Sequence, residues 1–98
     1  MAEFLAELYV SRGDSAAARR RAKRARLAAE ELRGEGTEVR YVRSIHVPEE
    51  ETCFFLYEAA SAAAVREVMK RSAVRYERVT EVASWSERQI TAEGEQTP

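Results

Sequence analysis

The spacing of apolar residues changes between two periods along this chain, and this change constrains the fold more than any other feature. Apolar residues recur at every second position in some segments, as in strands, and at every third or fourth position in others, as in helices. The strand pattern covers Glu3–Val10, Thr37–Val47, Thr52–Tyr57 and Tyr76–Trp85, while the helix pattern runs from Ser15 to Arg33 and from Ser61 to about Ser72. The predicted order is therefore strand, helix, strand, strand, helix, strand.

This order predicts the architecture. Right-handed crossovers of the two strand–helix–strand units give a four-stranded antiparallel sheet with both helices on one face. A stripe of alanines in the first helix allows it to approach the sheet closely; it consists of Ala18, Ala22, Ala25 and Ala29. We therefore predict an α+β, ferredoxin-like βαββαβ fold, with a single domain over residues 1–85 and a loose C-terminal tail over residues 86–98.

The face of the sheet without helices predicts a homodimer. Two helices cover only one side, and a large apolar patch does not normally face water. The uncovered side is expected to carry some of Leu5, Tyr9, Val42, Phe55, Tyr57, Val79 and Trp85. A chain of 98 residues also has a small core of its own. We expect two copies to pack through this face as a dimeric α+β barrel, whose interior is a natural place for a ligand.

Composition narrows the classes of function. No apolar run is long enough for a membrane span, and the single cysteine, Cys53, fits a reducing compartment, so a cytoplasmic location is expected. The net charge is −1, so the molecule as a whole has no strong electrostatic field that would attract nucleic acid. We therefore do not expect nucleic acid as a partner. A Gly-rich phosphate loop, a CxxC pair and a Ser/His/Asp grouping are all missing from the sequence, so no organic cofactor is indicated.

The segment Ser44–Ala59, SIHVPEEETCFFLYEA, resembles a family of small bacterial proteins. That family was long classed as a domain of unknown function and is now labelled nickel-binding. The resemblance extends over roughly Met1–Trp85 and is most specific over Ser44–Arg66. It implies the ferredoxin-like fold, a dimeric barrel and binding of nickel or a similar divalent metal.

His46 and Cys53 are the candidate metal ligands, because imidazole and thiolate suit nickel, copper or zinc. If Pro48–Glu51 forms a four-residue hairpin loop, His46 lies opposite Cys53 on one face, with Cβ atoms about 5 Å apart. A loop longer or shorter by one residue places the two on different faces. Glu7, a turn glutamate, water or a second subunit would complete the ligand set. The alternative is a packed cysteine and a hydrogen-bonded histidine without a metal.

An enzyme or small-molecule-binding protein is the second hypothesis. His46 and Glu7 are its acid–base candidates, and Tyr9 is a further catalytic candidate. The residues expected to share the open face are Glu7, Tyr9, Arg40, His46, Tyr57 and Glu81. Polar residues that line a water-filled dimer cleft would give the same pattern.

The first predicted helix suggests a third hypothesis, phosphate or nucleic-acid binding. Residues 12–33 carry a net charge of +5, which attracts phosphates. Its cations spread around the helix, however, and no aromatic residues lie between them for base stacking. They also lie mainly in the first two thirds of the helix, where the helix dipole disfavours them.

Overall fold

The computed structural model describes the backbone of residues 1–96 and the side chains of residues 1–91. The elements are β1 (Ala2–Tyr9), α1 (Ser15–Gly34), β2 (Val39–Val47), β3 (Thr52–Ala59), α2 (Ala62–Arg71), β4 (Arg78–Val82) and α3 (Glu87–Gln96), with a 3₁₀ turn at Pro48–Glu50. The strands form one antiparallel sheet in the order β2-β3-β1-β4. The predicted α+β, ferredoxin-like βαββαβ fold is confirmed.

The core lies between the sheet and helices α1 and α2. Alternate residues of β1, namely Phe4, Ala6 and Leu8, are buried on this side. Their register partners on β3 are Tyr57, Phe55 and Cys53. The predicted alanine stripe of α1 packs against them, because small side chains allow a helix to lie close to a sheet.

The prediction that Phe55 and Tyr57 lie on the helix-free face is wrong. Both side chains are fully buried on the helix side, where they pack edge-on against the ring of Tyr41. Their strand contains the unbroken apolar run Phe54–Tyr57, so alternation alone did not assign its faces. The register with β1 assigns them, because Phe55 and Tyr57 lie opposite the buried residues Ala6 and Phe4. Val79, also expected on the helix-free face, lies opposite Ala6 on β4 and packs against the same core.

A β-bulge at Val42 reverses the sides of the sheet on which the odd- and even-numbered residues of β2 lie. Tyr41 lies opposite Tyr57, whereas Arg43 lies opposite Leu56, so one extra residue is inserted between the two pairs. Val39 and Tyr41 before the bulge therefore share the helix side with the even-numbered residues after it. The bulge thus joins two segments of opposite alternation in one strand.

Both major helices begin at a side-chain cap. Asp14 Oδ1 accepts a hydrogen bond from the Ala17 N–H at 3.1 Å, and Ser61 Oγ accepts one from the Ala64 N–H at 3.2 Å. Each bond satisfies a backbone donor that the first helical turn leaves unpaired.

The C-terminus of α1 lies beyond its predicted boundary. The left-handed glycine that follows this helix is Gly36, at φ +101°. The N–H of Thr37 bonds Leu32 O at 2.9 Å, and that of Gly36 bonds Arg33 O at 3.1 Å. These two bonds define a Schellman motif.

Ala73 repeats the same motif after α2 without a glycine. Its φ is +55°, the N–H of Val74 bonds Met69 O at 3.1 Å, and that of Ala73 bonds Lys70 O at 3.1 Å. A left-handed conformation is unfavourable for alanine. This position therefore carries backbone strain.

The segment after β4 contains a helix, α3, where a loose tail was expected. Ser86 and Gln89 cap α3 reciprocally: Ser86 Oγ accepts from the Gln89 N–H at 3.2 Å, and Gln89 Oε1 accepts from the Ser86 N–H at 2.7 Å. The last two residues of the predicted loose tail lie outside the described residues. Among the helices described here, none combines the length and apolarity needed to cross a membrane.

Candidate functional site

The hairpin between β2 and β3 brings His46 and Cys53 together. Val47 lies opposite Thr52, and His46 lies opposite Cys53, which is the register that a four-residue connection gives. Directly opposed residues in an antiparallel pair have Cβ atoms about 4.5–5.5 Å apart on one face. The only histidine and the only cysteine of the chain are therefore cross-strand neighbours.

The pair faces α1 and not the open side of the sheet. Cys53 lies opposite Leu8 on β1, whose side chain is in the core, and Cys53 itself is only 1% exposed. His46 is half-buried near the end of β2. The thiol thus lies beneath the surface, and His46 is the more exposed residue of the pair.

Burial determines the electrostatics of the thiol. Removal from water raises the pKa of Cys53, because burial disfavours the charged thiolate. The positive charge of Arg21 on α1 acts in the opposite direction and lowers this pKa in part. The sequence does not connect Arg21 with Cys53, because only the packing of α1 brings the two residues together.

The imidazole contains an unsatisfied polar atom. His46 Nε2 is buried and has no hydrogen-bond partner among the described residues. Buried polar atoms are nearly always paired, so an unpaired one indicates a ligand, an ion or a water molecule at that position. A ring nitrogen and a sulfur on neighbouring strands are donors that suit nickel, copper or zinc.

The donor set of one chain is incomplete. Within the part of the chain that the structure describes, no group of three or more histidine, cysteine, aspartate or glutamate residues is arranged to hold a metal ion. The His46–Cys53 pair fits a transition metal as two ligands only. The other positions would have to be filled from elsewhere.

Glu7, the predicted third ligand and acid–base partner of His46, is not near the pair. It alternates with Ala6 and Leu8 on β1 and therefore lies on the helix-free face. Its Oε1 accepts a hydrogen bond from Arg78 Nε at 2.9 Å. The sheet thus separates Glu7 from His46 within one chain.

Tyr9 is likewise on the helix-free side, at the end of β1, and is 56% exposed. Its hydroxyl donates to Glu51 Oε2 at 3.4 Å. The same carboxylate accepts from the Arg12 N–H at 3.0 Å. Glu51 therefore ties the hairpin turn to the end of β1.

The six residues expected on the open face are divided between the two sides. Glu7, Tyr9 and Arg40 lie on the open side, with Arg40 in an ion pair to Glu58. His46 and Tyr57 lie on the helix side, and Glu81 lies opposite Phe4 on β4. One chain therefore does not gather them into a single catalytic cavity.

Comparisons with known proteins agree with this fold. A family model described as "Nickel responsive protein SCO4226-like" matches residues 4–82. The crystal structure of SCO4226 from Streptomyces coelicolor A3(2) is similar, with a TM-score of 0.67 and 25% sequence identity over 87% of this chain and 100% of that chain. No curated protein matches the sequence.

Proposed function

Because the chain belongs to the nickel responsive SCO4226-like family, we propose that it binds a divalent transition metal ion, with nickel as the first candidate, through His46 and Cys53. The observation that carries this proposal is the cross-strand pairing of the two residues, together with the buried Nε2 atom of His46, which has no hydrogen-bond partner among the described residues. The protein would act in metal binding or homeostasis.

The donor chemistry supports a soft or borderline metal. A bound ion would supply a Lewis acid that satisfies His46 Nε2 and accepts the Cys53 thiolate. Hard cations such as magnesium prefer carboxylate oxygens, and the nearby turn glutamates are exposed or tied to backbone groups. His46 is the more exposed of the two donors, so the ion would enter from its side.

Water is the expected source of the remaining ligands. Since His46 and Cys53 face α1, a second copy packed on the opposite side of the sheet would not reach them. A site with two protein ligands and exchangeable waters binds reversibly, which suits a protein that responds to metal concentration.

Calorimetric titration with nickel, zinc and copper chlorides tests the proposal. His46→Ala and Cys53→Ser are each expected to weaken nickel binding by more than tenfold. Ser44→Ala is the matched control, because Ser44 lies two residues from His46 on the same side of β2. Unchanged affinity in both ligand variants, or no binding by the unmodified protein, would exclude the site.

We also propose that two copies associate through the helix-free face of the sheet. This face carries apolar side chains, several of them partly exposed, and Ile45 is 44% exposed. The apolar members are Leu5, Ile45, Val47, Phe54, Leu56 and Val82. Ion pairs flank them at Arg40–Glu58 and Arg78–Glu7. Glu7 lies opposite Phe54 on the central strand β1, so charged and apolar groups share this face, as they do in many protein interfaces.

Sedimentation velocity on charge-insertion variants tests this association. Phe54→Arg places a cation in the centre of the face and is expected to convert the dimer to a monomer. Leu27→Arg adds the same charge on the outer side of α1, where Leu27 is 43% exposed, and should remain dimeric. Circular dichroism verifies that both variants fold. A monomeric unmodified protein at micromolar concentration would contradict the proposal.

A further inference from the structure

A basic groove on the helix layer forms a second site, separate from His46 and Cys53. It lies between α1, α2 and the loop Ala73–Glu77, and has a volume of about 1370 Å³. Small-molecule pockets are typically 300–1,000 Å³, so the groove has room for a ligand larger than a single phosphate.

The groove concentrates positive charge on a protein whose net charge is −1. Five cations line it, namely Arg21, Arg24, Arg66, Lys70 and Arg75, against two carboxylates, Glu67 and Glu77. The local net charge is therefore +3. The sequence does not reveal this cluster, because its members come from two helices and a loop.

Two of these arginines are held in place by uncharged acceptors. Arg24 Nε and Nη2 donate to the backbone oxygens of Ser72 and Ala73, at 3.1 and 3.2 Å. Arg21 Nη1 donates to the backbone oxygen of Tyr9 at 2.9 Å. A guanidinium has five N–H donors, so each arginine is positioned while it keeps its charge and spare donors.

The other three cations have no ion-pair partner among the described residues. Arg66, Lys70 and Arg75 are exposed and form no salt bridge there. Elsewhere on the two helices the arrangement differs, since Arg26 pairs with Glu30 and Arg71 with Glu35. The groove thus gathers cations whose charge no nearby carboxylate neutralises through a salt bridge.

We propose that this groove binds a ligand with several phosphate groups, either the polyphosphate of a nucleotide or the phosphodiester backbone of a short single strand. Arginine matches phosphate geometry with paired N–H donors, and lysine supplies a mobile point charge. This inference is independent of the metal proposal, because neither His46 nor Cys53 lines the groove.

Fluorescence anisotropy and calorimetry with three probes test the inference: inorganic phosphate, adenosine triphosphate and a labelled single-stranded oligonucleotide. Tighter binding of the triphosphate than of inorganic phosphate identifies a nucleotide site. Binding of the oligonucleotide alone, with affinity that falls steeply as salt rises, identifies the phosphodiester backbone as the ligand.

Matched variants locate the binding surface. The double variant Arg66→Ala, Lys70→Ala is expected to weaken binding at least tenfold. Arg19→Ala, Arg20→Ala removes the same charge from exposed positions of α1 outside the groove and should change affinity less than threefold. Glu67→Gln removes a groove carboxylate and is expected to tighten binding severalfold.

Two outcomes would overturn the inference. An equal loss of affinity in both double variants would mean that the overall charge of the helices, and not the groove, attracts the phosphates. No binding of any probe at low salt would exclude the site altogether. All the substituted side chains are exposed, so circular dichroism spectra are expected to remain unchanged.

Discussion

Replacement of Ala73 by glycine should stabilise the protein, because Ala73 closes α2 in a left-handed conformation. Its φ of +55° costs an L-residue about 1–2 kcal/mol. Glycine removes that cost, but it also makes the unfolded chain more flexible, which lowers the free energy of unfolding by about 0.4–1 kcal/mol. The net effect is an increase of about 0.5–1 kcal/mol in the free energy of unfolding. Ala73 is exposed, so no packed side chain is lost.

Urea unfolding measures this gain as a shift in midpoint. With an m-value of about 1.5 kcal/mol per molar urea for a chain of this size, the midpoint should rise by roughly 0.3–0.7 M. Ala22→Gly is the control of opposite sign, since Ala22 lies inside α1, where glycine costs about 1 kcal/mol. A lower midpoint for Ala73→Gly would refute the assigned strain. So would equal destabilisation in both variants.

Three further perturbations examine the core beneath the helices. Ala25→Leu is expected to lower the free energy of unfolding, measured in urea, by about 1–3 kcal/mol, because Ala25 is fully buried against the sheet and has no room for a larger side chain. An unchanged free energy of unfolding would mean that α1 packs loosely on the sheet. Tyr57→Phe should change the free energy of unfolding by less than about 1 kcal/mol, since the hydroxyl donates to the weak acceptor Met69 Sδ at 3.2 Å. A larger decrease in stability would mean that the hydroxyl has a stronger hydrogen-bond partner. Burial raises the pKa of the Cys53 thiol above its ordinary value of 9.0, so its neutral form favours folding. That contribution is complete below pH 9 and is lost as pH rises through the higher folded pKa. A urea series at pH 8–10 should therefore show a steeper decline in the unmodified protein than in Cys53→Ser, and parallel curves would contradict the shift.

The fold was predictable because its signals are local. Alternation in β1 marks one buried face, and Asp14 and Ser61 mark helix starts that the structure confirms. Ser86 and Gln89 have the spacing of a capping box, so the start of α3 also has a local sequence signal. The left-handed turn at Ala73 carried none, because its geometry normally selects glycine.

The faces of β2 and β3 were harder to predict because they depend on nonlocal pairing. Phe54, Phe55 and Leu56 are consecutive and apolar, so period two does not distinguish the inner from the outer residues. The bulge at Val42 further changes the alternation within one strand. The His46–Cys53 register depended on loop length alone, and the compact turn at Pro48–Glu50 provides it. Their orientation toward α1 follows from the pairing of Cys53 with Leu8.

The basic residues of α1 illustrate how tertiary contacts compensate an unfavourable local sequence. Cations in the first half of a helix oppose its own dipole. Arg24, however, donates to Ser72 and Ala73 at the C-terminus of α2, where the dipole favours a positive charge. Arg21 donates to the end of β1, and its charge also acts on the Cys53 thiol. The positions of Arg21 and Arg24 are therefore explained by the elements that α1 packs against, a relation that the helix sequence alone does not contain.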